Sequence, residues 1–197
     1  MKKGLPANWR GFTLLELLVA AGVISFLSVI ITQVLFSSIH LNTKTEVIKE
    51  LKQTGETTLG VISRMIQNAA TITATQCNAS TDDPKQIVTE ITITGWDGGI
   101  TTLECNDDEV NGVSRIASVS ASTLYLTNSN VTLINNSGVS GCTNNQPLQF
   151  TCVGVGGVPT SINVSFRLRQ KNLTATSYES AIETFQTTIS VRNSIKE

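Results

Sequence analysis

Residues 12–36 read FTLLELLVAAGVISFLSVIITQVLF, twenty-five positions with one charge, Glu16, and no proline. At about 1.5 Å per residue a helix of that length reaches roughly 37 Å, and a bilayer core is about 30 Å thick, so the segment spans a membrane with some tilt. Residues 1–11, MKKGLPANWRG, carry Lys2, Lys3 and Arg10 and no acid. Positive charge before the span and none close behind it places this basic leader in the cytoplasm and the remainder outside.

The helical pattern continues past the span. Leu41, Ile48, Leu51, Gly55, Leu59, Ile62, Met65, Ile66 and Ala69 recur mostly at spacings of three, four or seven, with Lys44, Glu46, Lys49, Glu50, Lys52 and Glu56 between them. That periodicity predicts one long helix from about residue 12 to about residue 70, its outer half (37–72) amphipathic and in need of a surface to lie against. Gly55 and Gly60 each weaken it by about 1 kcal/mol relative to Ala, which makes a bend or loosened turn the expectation there.

After Ile72 the period changes to two. QIVTEITIT (86–94), ITTLEC (100–105), VSRIASVS (113–120), STLYLT (122–127), VTLIN (131–135), LQFTCVG (148–154), SINVSFRLR (161–169) and TFQTTISVR (184–192) read as strands between turn signals such as WDGG and NNSG. The expected fold class is therefore α+β: a long N-terminal helix, its inner half transmembrane, packed through its outer half on an antiparallel sheet built from residues 73–197.

Composition agrees with this division. Only 15% of residues are charged, because the span excludes charge and because Ser and Thr fill 46 positions, 33 of them after Ile72, where they suit strand surfaces. A net charge of −1 and a single histidine, His40, remove the case for bulk nucleic-acid binding and for a histidine triad or His-rich metal site. No nucleophile, base and metal constellation is visible, so an enzyme is not expected. His40, at the end of the span, reads as an interfacial polar residue, and Arg167, Arg169 and Lys171 as one solvated strand face. The four cysteines, Cys77, Cys105, Cys142 and Cys152, all lie in the outer segment, and an even count in an oxidising compartment predicts two disulfides. Three connectivities are open, of which Cys142 with Cys152 and Cys77 with Cys105 close short loops; no C-x-x-C spacing favours zinc.

The most specific stretch is RGFTLLELLVA, residues 10–20. A basic leader ending in Gly11, followed by Phe12, Thr13, Leu14, Leu15 and Glu16 at the head of an apolar helix, resembles the processing site of type IV prepilins and type II secretion pseudopilins. The resemblance covers about 30 residues. It implies a pilin-like fold, cleavage between Gly11 and Phe12 by a prepilin peptidase, N-methylation of Phe12, and assembly into a filament through the apolar helix. The implied partners are other pilin subunits, an inner-membrane assembly platform with its ATPase, and membrane lipid. A secretory signal cut after Ala20 or Ala21 is the competing reading and would leave a soluble product.

Glu16 has two readings. Thr13-x-x-Glu16 is a capping-box pattern, and an acid in the first turn suits the positive end of the helix dipole. In pilins the matching glutamate is thought to pair with the freed amino group of a neighbouring subunit, which would offset the cost of an acid in an apolar span. Ala20, Ala21 and Gly22 offer small surfaces for helix approach, and Ser25, Ser28 and Thr32 can bond to their own carbonyls or across helices. Because some relatives carry calcium in a β-region loop, Asp97, Glu104, Asp107, Asp108 and Glu109 are weak calcium candidates, although a solvated acidic loop is the simpler meaning.

ISRMIQNA (62–69) resembles the helix end of minor pilins and J-type pseudopilins, and FQTTISVRN (185–193) the closing strand of such proteins. The expected function is thus a pilus-like filament subunit, most simply a minor pilin. The alternatives are a pseudopilin of a type II secretion system and a membrane-anchored adhesin or DNA-uptake module. The corresponding location is the cytoplasmic membrane with the C-terminal domain outside, then a surface pilus or periplasmic pseudopilus.

Overall fold

The computed structural model describes residues 12–73, 85–143, 146–155, 158–171 and 181–191. The leader with Gly11 and the cysteine at position 77 lie outside them. The described chain is α+β: one helix, α1 (Leu14–Gln67), followed by ten strands. These are β1 (Thr71–Thr73), β2 (Lys85–Val88), β3 (Ile91–Thr94), β4 (Ile100–Asp108), β5 (Val113–Val119), β6 (Thr123–Tyr125), β7 (Val131–Ile134), β8 (Leu148–Val155), β9 (Val158–Gln170) and β10 (Ile182–Ser190). The chain divides into two compact units, with the boundary within α1 between Asn42 and Thr43.

The first unit is the inner helix. Its large apolar side chains, from Phe12 through Phe26 to Leu41, are all exposed within the chain. The second unit holds the outer helix and both sheets. Its helix buries Val47, Leu51, Gly55, Thr58, Ile62 and Ile66, spaced three or four apart as one face of a helix requires. The buried stripe differs from the sequence reading in detail: Ile48, Leu59 and Met65 flank it half-buried, Leu41 is exposed, and Val47 and Thr58 belong to it. The helix ends at Gln67 as Arg64 supplies a cation to its last turn, and the Ala70 N–H then bonds to the Thr94 carbonyl, opening β1.

The helix is not interrupted at either glycine, since α1 is continuous through both. Gly55 serves close packing instead: a Cβ there would lie 2.3 Å from Cε1 and Cζ of Phe185 on β10. The Phe185 ring thus sits directly on the helix backbone, with its other neighbour Phe166 stacked at a centroid distance of 5.4 Å.

The single expected sheet is two five-stranded antiparallel sheets. One has the order β1-β3-β4-β5-β6; the other runs β10-β9-β8-β2, with β7 pairing β9 beside the end of β8. The segment QIVTEITIT breaks at Thr89 and Glu90, and its halves join different sheets. The reason is visible in burial: Val88, Ile91 and Ile93 are inward, so the alternation slips phase by one residue at the break. Strand β9 organises the second sheet, with Ile162, Val164, Phe166 and Leu168 buried at alternate positions. These meet Leu51, Ile62 and Ile66 of the helix and Leu103 and Ile116 of the first sheet in one hydrophobic core.

Candidate functional site

The inner helix begins with a cap. The Glu16 N–H donates to Thr13 Oγ1 at 3.2 Å and the Leu17 N–H to the Thr13 carbonyl at 3.2 Å, so Thr13 satisfies donors the first turn leaves open. The reciprocal half of a capping box, from the Glu16 carboxylate to the Thr13 N–H, is not formed. Among the described residues that carboxylate accepts no hydrogen bond and makes no ion pair. It is exposed on the first turn, at the N-terminal end of an apolar surface.

Along that surface Ser25, Ser28 and Thr32 donate their hydroxyls to the carbonyls of Ala21, Ile24 and Ser28, each at 2.8 Å. Of the two roles open to them, the local one is taken, so these hydroxyls do not disturb an otherwise apolar exterior. A Cβ on Gly22 would meet nothing within 4 Å, so the backbone there is open to close approach. By length and composition α1 is the helix that can cross a membrane, and its apolar window has no buried share. An exposed apolar surface of this extent is better covered by lipid or other apolar helices than by water.

The outer unit shows how the remaining candidate residues are used. Cys105 on β4 is bonded to Cys142, with Cα atoms 5.4 Å apart. Cys152 is disulfide-bonded as well. Of the three open connectivities, the bond between Cys105 and Cys142 excludes the one that pairs Cys142 with Cys152 and Cys77 with Cys105. The 135–143 segment leaves β7 in the second sheet and brings Cys142 to β4 of the first, where its N–H also bonds to Asp107, so this disulfide ties the two sheets together.

The acids do not converge, and no group of three metal-ligating side chains forms among the described residues. Asp97 Oδ1 accepts the Gly99 N–H at 3.0 Å within the β3–β4 hairpin. Asp107 accepts the Ser114 hydroxyl at 2.7 Å and the Cys142 N–H at 3.2 Å, which fixes the disulfide-bearing loop. Asp108 is buried and accepts Asn111 Nδ2 at 2.8 Å and Arg115 Nη1 at 2.9 Å. Hydrogen bonds from Asn111 and then Arg115 hold its carboxyl below the usual carboxylate range, against the opposing effect of burial. Glu104 is half-buried on β4, and Glu109 stands exposed in the β4–β5 turn. The calcium candidates are thus turn-forming and pairing groups, each separately engaged or solvated.

Arg167 and Arg169 were expected on a solvated face and are half-buried instead. Arg167 Nη1 donates to the Asn136 carbonyl at 3.1 Å and Arg169 Nη1 to the Gly138 carbonyl at 2.9 Å, so both clamp the loop that leads to Cys142. Lys171, just past β9, is exposed. His40 lies within α1 at an exposed position near its midpoint.

Two arrangements escaped the sequence reading. Glu50 Oε1 accepts the side-chain amides of Asn128 at 3.1 Å and Asn130 at 2.8 Å, while Thr54 and Thr58 bond the same loop. Glu50, Thr54 and Thr58 are four apart on the helix, so an i, i+4 polar row beside the apolar stripe was the signal. The row borders an open polar groove of about 360 Å³ lined by Glu50, Gln53, Thr54, Thr57, Leu126 and Asn128. The second is Arg115, whose guanidinium lies 4.1 Å from the Tyr125 ring centroid while binding Asp108 and the Thr127 carbonyl.

No family model, curated protein or solved structure matches this chain.

Proposed function

We propose that this chain is a structural subunit of a type IV pilus-like filament, a minor pilin that acts by being assembled. The proposal rests on one observation: an exposed, largely apolar helix surface that runs from Leu14 toward Leu41, with a Glu16 carboxylate in its first turn that has no partner among the described residues. In the membrane, lipid covers the exterior and Glu16 bears a desolvation cost. Cleavage between Gly11 and Phe12 creates an α-amino group four residues from Glu16 in sequence. In a filament each such amine meets the Glu16 carboxylate of an adjacent subunit, while apolar helices cover one another. The small residues Ala20, Ala21 and Gly22 permit close helix approach.

In this reading the prepilin peptidase processes the chain, an inner-membrane platform and its ATPase extract it, and the outer domain reaches the cell surface. The pattern ISRMIQNA (62–69) also supports a second reading, a pseudopilin of a type II secretion system, which shares the N-terminal chemistry and differs in ending in the periplasm. Glu16→Ala tests the common core. Processing should continue at nearly the native rate, and the variant should disappear from the sheared filament fraction while remaining in the membrane. Assembly at native levels would overturn the proposal.

A further inference from the structure

The β4–β5 hairpin turns through residues 109–112, closing on the pair Asp108 and Val113. It contains Asn111–Gly112, the one Asn–Gly step in the sequence. This step is chemically the most labile a chain can carry, because glycine leaves its backbone nitrogen open to attack the preceding side-chain amide. Here the turn uses the same two residues for structure. Gly112 holds φ +61°, a value glycine adopts without strain, and its N–H donates to the Asp108 carbonyl at 2.7 Å. Asn111 Nδ2 donates to Asp108 Oδ2 at 2.8 Å, and the Asn111 N–H to Asp108 Oδ1 at 3.2 Å. Both partners in the reaction, the nucleophilic nitrogen and the amide that must leave, are therefore tied to one residue. Arg115 Nη1 fixes that residue in turn, through the same Oδ2 atom at 2.9 Å.

We propose that Asn111 is a latent self-modification site, held unreacted by Asp108 and converted to aspartate and isoaspartate when that hold is lost. In the reaction the Gly112 nitrogen gives up its proton to solvent base and forms a bond to Asn111 Cγ. The Cγ–Nδ2 bond breaks, and Nδ2 departs as ammonia after gaining a proton from water. A five-membered cyclic imide remains, and one water opens it at either carbonyl. The net change is amide plus water to carboxylic acid plus ammonia. Asp108 opposes the first step by occupying the N–H through its carbonyl. It opposes the second because its ionised carboxylate accepts hydrogen bonds from Nδ2 and has no proton to deliver to it. Conversion also weakens the turn: a carboxylate at 111 replaces the donor facing Asp108 Oδ2, so two anions then compete for Arg115.

The test is ageing of the full-length protein in detergent at neutral pH and 37 °C, followed by peptide mass spectrometry of the segment around residue 111. In the native chain Asn111 should convert at least about tenfold more slowly than in the same chain unfolded in urea, the protection a locally stable turn provides. Asp108→Ala should remove most of that protection at Asn111 and leave conversion at Asn136, in the loop after β7, unchanged. Equal Asn111 rates in the native and urea-unfolded chain would overturn the proposal even if Asp108→Ala does not fold. Equal rates in folded Asp108→Ala and the native protein, or parallel acceleration at Asn111 and Asn136, would also overturn it.

Discussion

Gly55 and Gly60 lie five residues apart in one continuous helix, and replacing each with alanine should change stability in opposite directions. Helix propensity favours alanine at both by about 1 kcal/mol. At Gly60 the position is exposed and a Cβ would meet nothing within 4 Å, so Gly60→Ala should realise most of that gain. At Gly55 the added Cβ would fall 2.3 Å from two carbons of the Phe185 ring and 2.5 Å from a third. Carbon contacts relax only near 3.5–4.0 Å, so the ring would have to retreat by more than about 1 Å. Phe185 is only 8% exposed and is stacked on Phe166, which leaves it no free space to enter. Overpacking of a filled core costs about 1–3 kcal/mol, so Gly55→Ala should be net destabilising by about 1 kcal/mol. The two variants should then differ by about 2 kcal/mol, or roughly 4–8 °C in Tm for a chain of this size. Thermal unfolding followed by circular dichroism in detergent micelles measures the difference, and Phe185→Leu added to Gly55→Ala should restore part of the loss. Equal stabilisation by both alanines would refute the close contact between helix and β10.

Two further outcomes concern the outer domain. Replacing Cys105 and Cys142 together by serine should cost about 3–4 kcal/mol, the chain-entropy value for their 37-residue separation; peptide mapping without reduction should recover Cys105 linked to Cys142, and a Cys142–Cys152 peptide would contradict the fold. Because the Asp108 carboxyl titrates below its ordinary value of 3.8 in the folded chain, its contribution is complete above that pH and is lost as pH falls through the depressed value. Asp108→Asn should therefore be less stable than the native protein near neutrality, with a gap that narrows as Tm is followed down toward pH 2; a constant gap would mean the carboxylate charge is not involved.

How far the sequence carries depends on which physical signal each residue leaves. The helix was legible because twenty-five residues with one charge, followed by apolar positions at helical spacing, admit few other structures. Thr13 as a cap was legible for the same local reason. Most strands were legible from alternation, yet their division between two sheets was not. Alternation records which face is buried and not which sheet buries it, and the phase slip at Thr89–Glu90 was the only trace of the break. Gly55 was misread because propensity is local, whereas its role depends on Phe185, 130 residues away. The disulfide connectivity stayed open because loop length ranks closures only when topology leaves the chain free to choose. Arg167 and Arg169 were misread because alternation on a strand does not reveal that the 135–142 loop covers that face. In the candidate site, Glu16 stood out as the one charge in the span, while the Glu50 row and the Arg115 contacts depend on loops whose course only the fold defines.

The proposed assembly requires that this chain be cut after Gly11 and assembled through Phe12 and Glu16. Intact-mass and N-terminal sequencing of the protein recovered from sheared filaments tests it most directly. The expected product is a chain beginning at Phe12 with one added methyl group on its amino nitrogen. A mature chain that begins at Gly22 or later, or one that retains the basic leader, would contradict it.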